Sequence, residues 1–125
     1  MYRSKFCDVE YLPDLNVVFV TWKEFCSGED YRKPLLHAVE IMRANEGCQY
    51  VADTRSGFEN EAADTRWLFE VFLPEAAKTS CKMIIFIIDQ DHSLKQELEG
   101  QSVKLQRFFD VEYCFSLEEL AGLVV

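Results

Sequence analysis

The sequence predicts an α/β fold, a single mixed β-sheet of about five strands with helices packed on it. Three observations carry that prediction. Residues 83–88, "MIIFII", are apolar without a break, which suits a strand covered on both faces. Tyr31, Leu35, Ala38, Val39 and Met42 recur at the spacing of one helical face, and Gly47 stands where a helix would end. Strand-like runs then alternate with helical stretches along the chain, the pattern of strands joined through crossovers.

The elements follow in order. Phe6, Val9, Tyr11 and residues 17–20 favour strands, and "PDLN" at 13–16 supplies the turn of a hairpin. The alternation is imperfect, so the pattern leaves the register open. Ser27 with Asp30 three residues on forms a capping-box pattern, with Asp in the usual place of Glu. Pro34 falls in the first turns of that helix, where a missing amide predicts a delayed or kinked start. "CQYVAD", 48–53, reads as a short strand. A second helix is expected from about residue 61 to 78. Ala63, Trp67, Glu70 or Val71, and Pro74 follow one spacing in it, and Phe69, Phe72 or Leu73, and Ala76 another. Pro74 is expected to bend its last turn. After the strand at 83–88, Leu94, Leu98, Leu105 and Phe108 mark a third helix that Gly100 weakens. "VEYCF", 111–115, is the last strand, and Ser116 with Glu119 forms a second capping box before a closing helix. The order is β-β-α-β-α-β-α-β-α: a parallel sheet with an antiparallel edge from the hairpin. No repeat or long linker interrupts it, so residues 1–125 read as one domain.

Composition narrows the function classes. Thirteen Lys and Arg against 22 Asp and Glu give a formal net charge of -9, and the positive residues do not cluster. Such a chain repels phosphate backbones, so no nucleic acid partner is expected, whereas a protein partner with a basic face fits. No apolar run approaches the roughly 20 residues of a membrane span. The first residues carry charges where a signal peptide needs an apolar stretch, so a cytoplasmic location is expected. The cysteines are Cys7, Cys26, Cys48, Cys81 and Cys114, an odd number without a CxxC. They read as free thiols packed as small hydrophobes. No phosphate-binding loop, dinucleotide fingerprint, nucleophile elbow or HExxH occurs, so no enzyme activity, cofactor or metal is expected.

The element order, with "TWKEFCSGEDYRKPL" at 21–35, "YVADTRSG" at 50–57, Trp67 and "PEAAKTSCKMIIFII" at 74–88, resembles the SpoIIAA-like proteins of the STAS group. The nearest likeness is to small bacterial proteins of the STAS/SEC14-like kind, and it covers nearly the whole chain. The resemblance implies a cytosolic regulatory or protein-interaction domain without enzyme chemistry, akin to the anti-sigma-factor antagonists. In those antagonists the loop after the central strand opens a helix and bears a Ser or Thr. A kinase-like anti-sigma partner phosphorylates that residue, and the charge change alters binding. The family pattern is close to Asp-Ser-Ser/Thr-Gly, where this chain reads "DTRSG" with Arg55 intruding. Ser56 or Thr54 is then the candidate acceptor. The SEC14 side of the likeness implies a small apolar ligand.

The residues themselves mark the candidate sites. Asp53, Thr54, Arg55, Ser56 and Gly57 form a candidate binding or switch surface, at the strand end where parallel sheets present ligand loops. A phosphate on Ser56 would add up to about two negative charges, within reach of Arg55 or Arg66. The plainer alternative is that Asp53 caps a turn and Arg55 pairs with Asp53 or Asp64 to support the fold. Trp22, Phe25, Phe58 and Trp67 form a candidate pocket or interface. Trp22 and Phe25 would lid a pocket or mediate an oligomer such as a homodimer, and Phe58, Trp22 and Phe72 are candidate gates. Trp67 is expected to face inward because Ala63 and Val71 flank it at four residues. Asp89, Asp91 and His92 group two carboxylates and an imidazole, but a metal there needs remote ligands, and Asp91 is more simply a helix cap. A hydrolase built on Asp53, Arg55 and His92 would need them within hydrogen-bond reach. His37 is expected to face solvent or bond locally.

Overall fold

Strand pairing follows the chain in a single direction. The computed structural model describes residues 1–56, 61–88, 106 and 108–124. The elements are β1 (Tyr2–Arg3), β2 (Cys7–Leu12), β3 (Val17–Trp22), α1 (Glu29–Ala44), β4 (Gln49–Asp53), α2 (Ala62–Trp67), a π-helical turn (Leu68–Phe72), α3 (Leu73–Ala77), β5 (Met83–Ile87), β6 (Asp110–Cys114) and α4 (Leu117–Val124). Among the described residues the sheet has six strands in the order β1-β2-β3-β4-β5-β6. The first two pairings are antiparallel and the remaining three parallel.

The mixed α/β class is the one expected, with one strand more. The extra strand is β1, only two residues long. Ser4 makes its turn: Ser4 Oγ accepts from the Phe6 and Cys7 amides at 3.1 and 3.0 Å. The hairpin register that the alternation leaves open runs from Cys7↔Trp22 to Leu12↔Val17. Asn16 closes its turn in the left-handed region at φ 53, where the Tyr11 hydroxyl donates to its side-chain oxygen at 2.7 Å.

Stepping one way across a sheet with crossovers of one hand places successive helices on one face. Val18, Val20, Trp22, Tyr50, Ala52, Ile84 and Phe86 share a single core with the buried residues of α1, the π-turn and α3. Val17, Phe19, Val51, Ile85 and Ile87 form the opposite core, to which α4 contributes Leu120. The run in β5 is therefore buried on both sides, as its unbroken apolarity predicts.

The five residues expected on the inner face of α1 are all buried. The helix start differs from expectation. Ser27 makes no capping bond; Gly28 is the N-cap, at φ 60 and ψ -131, a conformation open to glycine. Pro34 sits inside α1 and deprives the Asp30 carbonyl of its helical donor. The Cys26 thiol takes that place, donating to the Asp30 carbonyl at 3.7 Å.

The second helix runs over residues 62–77, close to the expected span, with a π-turn inside it ahead of Pro74. In the π-turn the Leu73 amide bonds the Leu68 carbonyl, one residue farther back than in an α-helix. Pro74 follows immediately, and its ring would press on a carbonyl four residues back in a regular helix. The inner face lies one position on from the expected one already in α2. Asp64, Leu68, Phe72, Leu73 and Ala76 are buried, whereas Ala63 and Val71 are exposed. Trp67, expected inward with them, is half-buried at the margin of the core.

The second capping box forms. The Glu119 amide donates to Ser116 Oγ at 3.2 Å, and the Glu119 carboxylate accepts from the Phe115 amide at 2.8 Å. The trio Asp89, Asp91 and His92 and nearly all of the predicted third helix lie outside the described residues. Phe108 is described and is half exposed. Among the described residues no helix is long and apolar enough to cross a membrane.

Candidate functional site

The end of β4 is a closed bend with two faces of opposite character. Asp53 pairs with Thr21 on one side and Ile87 on the other, so the sheet holds its backbone at the strand end. Its carboxylate accepts from the Arg55 amide at 3.1 Å, from Arg55 Nε at 3.0 Å and from the second guanidinium nitrogen at 2.8 Å. A carboxylate that caps a turn while gripping a planar guanidinium fixes both backbone and side chain. Both supporting roles foreseen for this pair are present, and Arg55 pairs with Asp53 rather than with Asp64.

Thr54 departs from the expected switch surface. It is 0% exposed, and both its amide and its hydroxyl donate to the Ile87 carbonyl at 2.9 Å. A kinase cannot reach that hydroxyl without pulling the bend off β5. Asp53 is also buried, at 8% exposure. The solvent-facing part is Arg55, with 41% of its side chain exposed, and the exposed Ser56. Gly57 and Phe58 lie outside the described residues. The sheet order does not reverse beside β4, so the crevice that a reversal opens in doubly wound sheets has no counterpart among the described strands.

Between the sheet and its helices lies a small apolar pocket with room for about 20 Å³. Its walls are Trp22, Tyr31, Leu35, Tyr50, Ala52, Leu68, Phe72, Leu73, Ile84 and Phe86. Of the expected pocket or interface residues that are described, Trp22, Phe25 and Trp67, Trp22 alone lines it. Phe25 is 55% exposed, and Trp67 meets Tyr31 edge-on with ring centroids 6.4 Å apart. Trp22 stacks on Tyr31 with ring centroids 5.2 Å apart, and Tyr50 meets Phe72 edge-on at 5.6 Å. The Trp22 indole N–H is buried and has no hydrogen-bond acceptor among the described residues. Tyr50 lies near enough for the indole to favour its ionised form, without a hydrogen bond of regular geometry between them. Burial dominates and keeps the Tyr50 phenol protonated far above its ordinary range.

One buried carboxylate escaped sequence reasoning as a centre in its own right. Asp64 is 2% exposed and accepts from the Gly28 amide at 3.0 and 3.2 Å and from Arg32 Nε at 3.1 Å. Arg32 also lies over the Trp67 ring, 5.5 Å from its centroid. Asp64 thus replaces the absent cap of α1 from another helix. The sequence signal for it is slight: Ser27 is followed by a glycine that needs a donor's partner from elsewhere.

The cysteines are all free and buried. Burial pushes the thiols of Cys26, Cys48 and Cys81 up to about 11, and those of Cys7 and Cys114 up as well. Thiols held protonated in this way are poor nucleophiles near neutral pH. His37 is half-buried against Tyr2, at 5.9 Å between ring centroids, and burial followed by the nearby N-terminal charge pushes its pKa down. Among the described residues no group of three or more His, Cys, Asp or Glu side chains could hold a metal.

Comparison with protein-family models, curated proteins and solved structures returned no match to this chain.

Proposed function

We propose that the chain is a non-enzymatic regulatory or protein-interaction domain whose docking surface is the bend at Arg55 and Ser56. One observation carries the reading: Asp53 clamps an exposed arginine beside an exposed serine at the end of a buried strand. A phosphate on Ser56 would compete with Asp53 for the Arg55 guanidinium, because a doubly charged anion binds it more strongly than a single carboxylate. Modification would then change both the charge of the surface and the lock on the bend. This is the behaviour that the likeness to STAS-type antagonists implies, with Ser56 in the acceptor role. A formal charge of -9 suits a partner with a basic face.

Intact-mass measurement of the chain from its native cells, and capture of partners by Ser56→Asp and Ser56→Ala chains, test the reading. A phosphorylated fraction lost in Ser56→Ala, together with an altered partner set for Ser56→Asp, is expected. An unmodified Ser56 with identical partners for both variants would dismiss it.

A second reading, a carrier of a small apolar ligand, rests on the pocket at Trp22. Ligand sites commonly enclose about 300–1,000 Å³. The pocket has far less room, so a ligand would have to displace side chains of its wall. Mass analysis of an organic extract of the purified chain tests this directly; a stoichiometric apolar compound supports it, and a clean extract argues against it.

A further inference from the structure

The pocket contains a polar group that the packing of the core leaves unused. Trp22 is the last residue of β3 and 6% exposed, and its buried Nε1 hydrogen makes no hydrogen bond of regular geometry, the nearby Tyr50 hydroxyl being poorly placed to accept it. Buried donors are nearly always satisfied, because one that is not has lost its water and gained nothing. The rest of the wall is apolar or aromatic apart from the hydroxyls of Tyr31 and Tyr50, and no charged side chain lines it among the described residues. A charged occupant would therefore lose its hydration with no counterion to meet it. Leu68 and Phe72 come from the π-turn, where the α-helical hydrogen-bond pattern gives way to a wider one ahead of Pro74.

We propose that this pocket binds a small neutral molecule with an apolar body and a carbonyl oxygen. The oxygen accepts the Trp22 Nε1 hydrogen, and the body lodges against Tyr31 and Phe86 by displacing Leu68 and Phe72. The proposal rests on the carrier reading and adds to it the chemistry of recognition. A purely apolar molecule fills the space but leaves the indole donor unsatisfied; the matching ketone meets both requirements.

Acetophenone and ethylbenzene test this, because they share a ring and a two-carbon side chain and differ in the carbonyl. Each is titrated into the intact ¹⁵N-labelled chain while the indole N–H signals are followed. The chain has two tryptophans, so the signal missing from Trp67→Phe belongs to Trp67 and the other to Trp22. The expected result is a saturable downfield shift of the Trp22 indole proton with acetophenone and at least tenfold weaker binding of ethylbenzene. Trp22→Phe, read through ligand saturation transfer, is expected to bring acetophenone down to the affinity of ethylbenzene. Equal binding of both probes to the unaltered chain overturns the carbonyl recognition and leaves the carrier reading standing. No saturable shift with either probe, or a long-lived water on the Trp22 indole that acetophenone does not displace, overturns the proposal; failure of both probes removes the carrier reading with it. The comparison on the unaltered chain decides the matter even if Trp22→Phe does not fold.

Discussion

Asp53 ends β4 and holds an arginine two residues away, whereas Asp64 lies in α2 and holds the amide of Gly28 and the side chain of Arg32, more than thirty residues earlier. Both carboxylates are buried and both accept three hydrogen-bond contacts or more from a backbone amide and a guanidinium. Their consequences differ because of loop length. The Asp53 pair closes a turn whose ends were already neighbours, so little chain entropy is at stake. The Asp64 pair joins two helices and supplies the start of α1 with the partner that Ser27 does not provide. A local clamp shapes a surface; a distant one helps to hold the fold together.

Substitution can separate the two. Asp64→Ala is expected to have the largest effect, about 3 kcal/mol of unfolding free energy, because it strands a buried amide and a partly buried guanidinium at once. Denaturant melts should show a lower midpoint, and exchange of the Gly28 amide should quicken; Asp64→Asn, which keeps an acceptor, should cost less. Near-unaltered stability of Asp64→Ala would place the two carboxylates on an equal footing and undo the comparison.

Asp53→Ala is expected to cost less, about 1.5 kcal/mol, since water can take over the exposed Arg55 but not the turn. Amide exchange should rise around residues 54–56 without a comparable change at Gly28. Thr54→Val removes the hydroxyl bond to the Ile87 carbonyl, which keeps the Thr54 amide as a donor. About 1 kcal/mol is expected from that change, measured in the same melts. Arg55→Ala should be the mildest, about 0.5 kcal/mol, because its side chain is substantially exposed. A loss for Arg55→Ala as large as that for Asp64→Ala would show that the bend holds the fold and does more than present a surface.

Particular residues show how much of this was legible beforehand. The inner face of α1, the doubly buried β5 and the Ser116–Glu119 box follow rules of spacing over a few residues, and the structure bears them out. The Asp53–Arg55 clamp was readable for the same reason, as one of two arrangements open to an arginine beside an aspartate. Ser27 went the other way: its capping pattern gave way to Asp64, whereas Trp67 packs on the core only from its margin, because Asp64 and Leu68, one position on, take the inner face. Thr54 looks like any loop hydroxyl in the sequence, and only β5 beside it removes it from solvent.

Sequence alone determined the alternation of strands and helices, the free and buried state of the thiols, and the chemistry available at the end of β4, because these depend on residue type and neighbours within a turn or two. Tertiary structure alone decided which serine or threonine faces solvent, which carboxylate joins the helices, and that the Trp22 donor is buried against a small apolar space. Those outcomes arise from contacts between residues distant along the chain, whose meeting depends on sheet order and on how the helices pack on the sheet.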